Sequence, residues 1–311
     1  MHKNKILSYT SNTLVILGSI LLLILFTQTV SNDFHEYDLM LGQVQRYGSF
    51  LEAFKNLRYE PGFIFIYYFL SGLDSGMLFL LLASLCVLIK YAIFKKYFMH
   101  PIIAWLLYII IFLPNLESSQ LRTAIATTVI FYVISNPVMK KNYLVEAISA
   151  SIFHYIGLII LSYRLIRKPF QGLLLIILAA ALFNIFITLI TQYVPILILY
   201  TGFEGEANLL SSIFVAQSLI ALCCILNWRL LNNTQKKGAF LIIIGAIIFI
   251  VLNEFSGIVH RIREISMLGI FPLIFSNRLR LNFPTLTLYI LTAFYCLYHL
   301  FFLSRELIGH L

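Results

Sequence analysis

Residues 76–94 read GMLFLLLASLCVLIKYAIF, an apolar run long enough to cross a bilayer as one α-helix. Gly72 and Asp74 separate it from a shorter apolar piece at 62–73. Comparable runs recur along the chain, at about 13–30, 98–113, 121–136, 171–193, 209–226, 239–253, 262–276 and 284–303. The sequence therefore predicts an all-α polytopic membrane protein in which residues 1–311 form a single transmembrane domain of about 9–11 transmembrane or re-entrant helices.

The composition excludes an ordinary soluble domain. Of the 311 residues, 60% are hydrophobic and only 11% are charged, whereas soluble domains carry about 25% charged residues. The net charge of +9 would suit nucleic acid, but anchoring of the helix ends explains it better. The four cysteines lie in apolar runs, and no spacing resembles a zinc site or a nucleotide-binding loop. We therefore expect no nucleic acid, metal or cofactor.

The distribution of basic residues predicts the orientation. If the N-terminus is cytoplasmic, 15 of the 22 Lys and Arg, Lys90 and Lys237 among them, fall on the cytoplasmic side and 7 on the opposite side. This asymmetry follows the positive-inside rule. The polar stretch 31–60 then becomes an external loop.

Three arginines lie on the side that most basic residues avoid. Arg122 lies at the start of an apolar helix. Arg261 and Arg263 lie in the stretch that connects two further apolar helices. A cation at a helix N-terminus is unfavourable unless an anion accompanies it, and guanidinium groups bind phosphate oxygens in pairs. We interpret that anion as the pyrophosphate of a lipid-linked sugar. The alternatives are a salt bridge from Arg122 to Glu117 or a loop carboxylate, and headgroup anchoring at Arg261 and Arg263.

Residues 143–166 do not fit a simple alternation of spans. They are long enough to cross, yet basic clusters flank both ends. We predict a re-entrant helical hairpin that enters from the cytoplasmic side and turns near His154, because broken helices survive at membrane depth only when protein or water covers them. An ordinary span with misplaced charges is the alternative.

Several other polar residues are candidates for chemistry. His154, His260 and Glu60 could each accept a proton, although Glu60 could also be only a helix cap beside Pro61. On the predicted external loop, Asp33, Tyr37 and Arg58 are candidate substrate-binding residues.

Five short elements in order resemble the EpsG family of Wzy-type polysaccharide polymerases. The elements are Asp33 with Tyr37, Glu60-Pro61-Gly62-Phe63, Leu121-Arg122-Thr123-Ala124, Phe153-His154 in an Ala/Ser-rich helix, and the late Arg261. Thr123 departs from the pattern, where glutamine is usual. The chain also has two late arginines, Arg261 and Arg263, where the family has one prominent one, and we favour Arg261.

The resemblance implies a GT-C-like bundle of the polymerase and ligase type in the bacterial cytoplasmic (inner) membrane, with its active site facing outside. It implies an inverting, metal-independent glycosyltransferase that joins undecaprenyl-pyrophosphate-linked repeat units into O-antigen, capsule or exopolysaccharide. In that reaction Arg122 and Arg261, supported by Arg263, would stabilise the leaving pyrophosphate. Membrane lipids, a chain-length regulator and a flippase are the candidate partners. An O-antigen ligase and a flippase or transporter of lipid-linked sugars are the alternative functions.

Overall fold

The computed structural model describes residues 2–30, 34–57, 59–140, 142–193, 207–276 and 283–309. These residues form helices and turns, with no strand among them, which confirms the all-α prediction for this part of the chain. The α-helices are α1 (His2–Val30), α2 (Phe34–Val44), α3 (Phe50–Asn56), α4 (Pro61–Phe69), α5 (Ser75–Tyr97), α6 (Pro101–Ile111), α7 (Leu121–Ser135), α8 (Leu144–Ser151), α9 (Pro169–Tyr193), α10 (Ser212–Leu226), α11 (Asn233–Val251), α12 (Ser256–Ser266), α13 (Ile270–Phe275) and α14 (Phe283–Gly309). The 3₁₀ segments are Tyr155–Arg167, Trp228–Leu230 and Met267–Gly269.

Within the described residues, α5 and α11 are long and apolar enough to cross a membrane, and seven shorter helical segments are apolar. Two predicted spans are built differently from the expectation. The span predicted at 98–113 contains only the 11-residue α6, which ends before Pro114, a residue with no N–H to continue a helix. The span predicted at 262–276 is the end of α12, a 3₁₀ turn and α13.

Helix α11 packs against α7, α9, α10, α12 and α13. It approaches the turn after α12 at Gly238 and Gly269. A Cβ atom on either glycine would overlap the carbonyl oxygen of the other. The two backbones are therefore in direct contact, as small residues allow in membrane bundles.

Lys90 of α5 was predicted to anchor the cytoplasmic end of its helix, but its side chain is fully buried. Its ammonium group pairs with Glu117 and donates to the hydroxyls of Tyr108 and Thr127, each at 3.0 Å. The Tyr108 hydroxyl also donates to Glu117 Oε1, at 2.5 Å. A charge in an apolar interior requires such partners, so Lys90 ties α5 to α6, to the turn before α7 and to α7 itself.

Lys237, the other lysine predicted to be an anchor, is also buried. Its ammonium group donates to the carbonyl oxygens of Val133, Asn136 and Val138, at 3.1, 2.6 and 2.7 Å. These carbonyls lie at and just beyond the end of α7. Lys237 therefore satisfies acceptors that a helix C-terminus leaves without a partner.

The predicted external loop 31–60 contains two helices, α2 and α3. Asp33 and Arg58, two of the predicted substrate-binding residues, lie outside the described residues.

The segment 143–166 folds back on itself. Helix α8 ends at Ser151, a turn contains His154, and the 3₁₀ segment begins at Tyr155. A Cβ on Gly157 would lie 2.5 Å from both Ala150 Cβ and Ser151 N, so the two arms pack closely. Re-entry from the cytoplasmic side stays a prediction.

Candidate functional site

The centre of the candidate site is an ion pair between the first turn of α7 and the start of α4. Arg122 Nη1 donates to Glu60 Oε2 at 2.9 Å. Glu60 occupies the N-cap position of α4, ahead of Pro61, but its side chain makes no capping hydrogen bond. Of the two salt bridges proposed as alternatives for Arg122, the structure shows the one to a loop carboxylate, which is Glu60. Glu117, the other candidate, pairs with Lys90.

Part of this ion pair remains available to a ligand. The Glu60 side chain is fully buried, and the Arg122 side chain is 21% exposed. Glu60 Oε1 is buried without a hydrogen-bond partner. A carboxylate oxygen in this condition accepts a hydrogen bond from any donor that reaches it.

Aromatic side chains surround the arginine. The Arg122 guanidinium carbon lies 5.7 Å from the Tyr59 ring centroid, and the Arg122 backbone N–H donates to the Tyr37 hydroxyl at 3.5 Å. The Tyr37 ring in turn lies 5.7 Å from that of Phe63 in α4. Burial raises the pKa of Tyr59, with a further contribution from Glu36. The Tyr59 side chain therefore lines the site as an uncharged phenol at neutral pH.

The turn that contains His154 is held directly against the start of α4. The Gly62 N–H donates to the Ile152 carbonyl at 2.9 Å. A Cβ on Gly62 would lie 2.9 Å from Phe153 Cε1 and 3.1 Å from the Ile152 oxygen, and it would overlap the Ile152 side chain. Only glycine fits this approach, which brings together two sequence elements that lie about 90 residues apart.

His154 is a neutral hydrogen-bond donor in this environment. It is 6% exposed, and burial, followed by the charges of Arg122 and Arg261, lowers its pKa to about 3. Nδ1 accepts the N–H of Ile156 at 3.2 Å, so the imidazole proton lies on Nε2. Nε2 is buried without a partner. His154 can therefore donate to a ligand, and its free nitrogen is already protonated.

The two late arginines lie two residues apart on α12 and so point to different sides of that helix. The charge of Arg261 acts on His154 and on Glu264. Arg263 is 9% exposed, its guanidinium carbon lies 5.8 Å from the Phe249 ring centroid, and its Nε has no partner.

His260 packs on the same Phe249 ring, with centroids 5.7 Å apart, and burial and Arg263 lower its pKa. The structure thus brings together Glu60, Arg122 and the turn that contains His154, and the charge of Arg261 acts on this turn. It places His260 and Arg263 beside α11.

Two residues at the site were not predicted. The Gln120 side chain donates to Glu264, and this contact connects the start of α7 to α12. Tyr67 is fully buried. Burial and then Tyr37 raise its pKa, and the charge of Arg122 opposes this effect. The only sequence signal for Tyr67 is its position seven residues after Glu60, on the same face of α4. Among the described residues, no group of three or more His, Cys, Asp or Glu could hold a metal ion.

Residues 11–308 match the model of the EpsG family, a family of Wzy-like polysaccharide polymerases and exopolysaccharide biosynthesis proteins. No curated protein and no solved structure matches the chain. The family match takes in almost the whole chain and every site residue described above, which confirms the resemblance seen in the sequence. The chain is therefore a membrane protein of polysaccharide biosynthesis that belongs to the EpsG family.

Proposed function

We propose that this protein polymerises undecaprenyl-pyrophosphate-linked oligosaccharide repeat units into a surface polysaccharide, by inverting and metal-independent glycosyl transfer. The observation that carries the proposal is the site around Arg122, where the Glu60 carboxylate has one oxygen without a partner and the turn with His154 packs against the start of α4, while the charge of Arg261 acts on His154. A GT-C-like bundle in the bacterial inner membrane, with a cytoplasmic N-terminus and this site facing outside, would hold it. A chain-length regulator and a flippase are its proposed partners.

The leaving group in this reaction is the lipid pyrophosphate. As the bond between the anomeric carbon and the phosphate oxygen breaks, the electron pair passes to that oxygen. Arg122 and Arg261 are proposed to stabilise the charge that develops there, and His154 Nε2–H adds a neutral donor. Arg263 supports them from the other side of α12. Tyr37, Asp33 and Arg58 are proposed to hold the sugar residues.

The acceptor hydroxyl must lose a proton as its oxygen attacks the anomeric carbon. We assign this proton to Glu60 Oε1, because Oε2 is held by Arg122 while Oε1 is without a partner. His154 is less suitable because its free nitrogen carries a proton, and its pKa of about 3 opposes gaining another. His260 lies against Phe249. Attack on the face opposite the leaving group inverts the anomeric centre.

A reconstituted assay tests the function. Purified protein in proteoliposomes is given one synthetic undecaprenyl-pyrophosphate repeat unit, and the products are separated by size. We expect a ladder of glycans on lipid, which the Arg122→Ala variant does not make. With lipid A core added as a second acceptor, a single transfer to it in place of a ladder would indicate a ligase. Movement of labelled substrate across the bilayer with no change in glycan length would indicate a flippase.

A further inference from the structure

Tyr67 of α4 has a hydroxyl group that the protein itself does not satisfy. The residue is fully buried, and its ring packs against that of Phe63 at a tilt of 30°, with centroids 4.6 Å apart. Its hydroxyl oxygen has no hydrogen-bond partner. A buried polar group without a partner costs about 1–3 kcal/mol, whereas phenylalanine would fill the same space without that cost.

The surroundings of Tyr67 indicate what would satisfy the hydroxyl. Burial and then Tyr37 raise the pKa of Tyr67, and the positive charge of Arg122 opposes them. The phenol therefore stays protonated and available as a donor. Tyr67 packs against Phe63, whose ring lies 5.7 Å from that of Tyr37. The Tyr37 hydroxyl accepts the Arg122 backbone N–H, so Tyr67 is connected to the Arg122 site through two aromatic contacts. An arginine and a phenol donor together suit an anionic oxygen, and the Arg122 side chain is 21% exposed.

We propose that the Tyr67 hydroxyl is a ligand-binding group of the Arg122 site, which donates a hydrogen bond to a pyrophosphate oxygen of the lipid-linked substrate. This inference rests on the proposed function. It adds a fourth donor to those proposed for Arg122, Arg261 and His154, and it accounts for a buried hydroxyl that has no partner within the protein.

Tyr163 provides a matched control. It lies in the 3₁₀ segment, is 2% exposed, and also has a buried hydroxyl without a partner. Its ring packs near those of Tyr143 and Phe240, at 5.9 and 6.1 Å, and among the described residues it makes no ring contact or hydrogen bond with the Arg122 site. A phenylalanine at either position removes the same atom from the same kind of environment.

The test compares Tyr67→Phe and Tyr163→Phe in two measurements on purified protein in nanodiscs. Thermal unfolding without ligand should show both variants at least as stable as the parent. Titration with farnesyl diphosphate, with farnesol as the uncharged control, should show affinity that falls between about 10-fold and 100-fold in Tyr67→Phe, the range expected for one hydrogen bond to a charged group. Tyr163→Phe should bind as the parent does.

The possible results separate this inference from the proposed function. Parental protein that binds farnesyl diphosphate no better than farnesol would overturn both. Parental binding of the diphosphate that Tyr67→Phe retains in full would overturn the role of Tyr67 and leave the proposed function standing. Equal losses in Tyr67→Phe and Tyr163→Phe would also overturn it, because the effect would not depend on the Arg122 site.

Discussion

Glu60 and Arg122 act as one unit, although 61 residues separate them in the sequence. Arg122 sits in the first turn of α7, where a cation is unfavourable, and the Glu60 carboxylate compensates it at 2.9 Å. The same contact removes one oxygen of Glu60 from solvent and leaves the other without a partner. Stability and proposed catalysis therefore depend on the same two side chains, but through different atoms.

Substitutions of this pair should separate the two roles. We expect Arg122→Ala to abolish polymer formation and to lower the free energy of unfolding by about 3 kcal/mol, because Glu60 is left buried with an unpaired charge. The double variant Arg122→Ala/Glu60→Gln should recover about half of that stability and no activity. Thermal unfolding and polymer ladders measure both. A double variant that regains polymer synthesis would exclude a catalytic role for the pair.

His154 should make stability depend on pH. Its pKa is about 3 in the folded protein and about 6.5 in an unfolded chain, so the unfolded state binds more protons between these values. Its contribution to stability is full above about pH 6.5 and is lost as the pH falls, by about 1.4 kcal/mol per unit. The variant His154→Asn can accept the Ile156 N–H but does not titrate. Unfolding between pH 5 and 7 should therefore be steeper in the parent than in the variant, and equal slopes would contradict this account.

At the scale of elements, the contact between α4 and the turn after α8 aligns Glu60 with His154. We expect Gly62→Ala to reduce polymer formation at least about 10-fold, because the new methyl group overlaps Ile152 and separates the two elements. Gly42→Ala in α2 is the control, since no atom lies within 4 Å of its Cβ position. Polymer yield normalised to membrane-inserted protein measures the effect. An active Gly62→Ala variant would show that the contact does not position the site.

The Lys90 network fixes the turn that leads to Arg122. We expect Lys90→Met to destabilise the protein by about 3–5 kcal/mol, because Glu117 then has a buried charge without its counterion. Adding Glu117→Gln should restore most of the loss. Unfolding of both single variants and of the double variant gives the coupling energy. Additive effects would indicate that the two side chains do not interact.

The sequence predicted the positions of the helices more reliably than the contacts between their side chains. Apolar runs located α5, α7, α9 and α11, because periodicity and length are local properties. They did not reveal that Lys90 and Lys237 are buried, since a lysine near the end of an apolar run gives the same pattern whether it extends to the interface or pairs inside. The break after α6 has a local signal in Pro114, whereas the break at Gly269 depends on its close contact with Gly238. For the site, ordered motifs suggested Glu60, Arg122, His154 and Arg261, but Tyr67 lies in an apolar stretch that resembles ordinary core.

At the scale of the whole molecule, orientation decides whether the site can meet its proposed substrate. With the native cysteines replaced, single cysteines at Ser49 and at Lys95 should react with a membrane-impermeant maleimide from opposite sides of intact cells and inverted vesicles. We expect Ser49→Cys to be labelled from outside and Lys95→Cys from the cytoplasm. Cysteine at position 122 should share the side of Ser49→Cys. Labelling of position 122 from the cytoplasm would place the arginines in the wrong compartment.

Helix α7 joins Arg122 at one end to the carbonyls held by Lys237 at the other, about 20 Å away at 1.5 Å per residue over 15 residues. The carbonyl oxygens at its C-terminal end accept hydrogen bonds from a single ammonium group on the neighbouring helix α11. Removing the charge of that lysine would leave these carbonyls without their donor and would loosen the end of α7 opposite to Arg122. We therefore expect a substitution at Lys237 to weaken the proposed pyrophosphate site from the far end of α7, without any contact to the substrate.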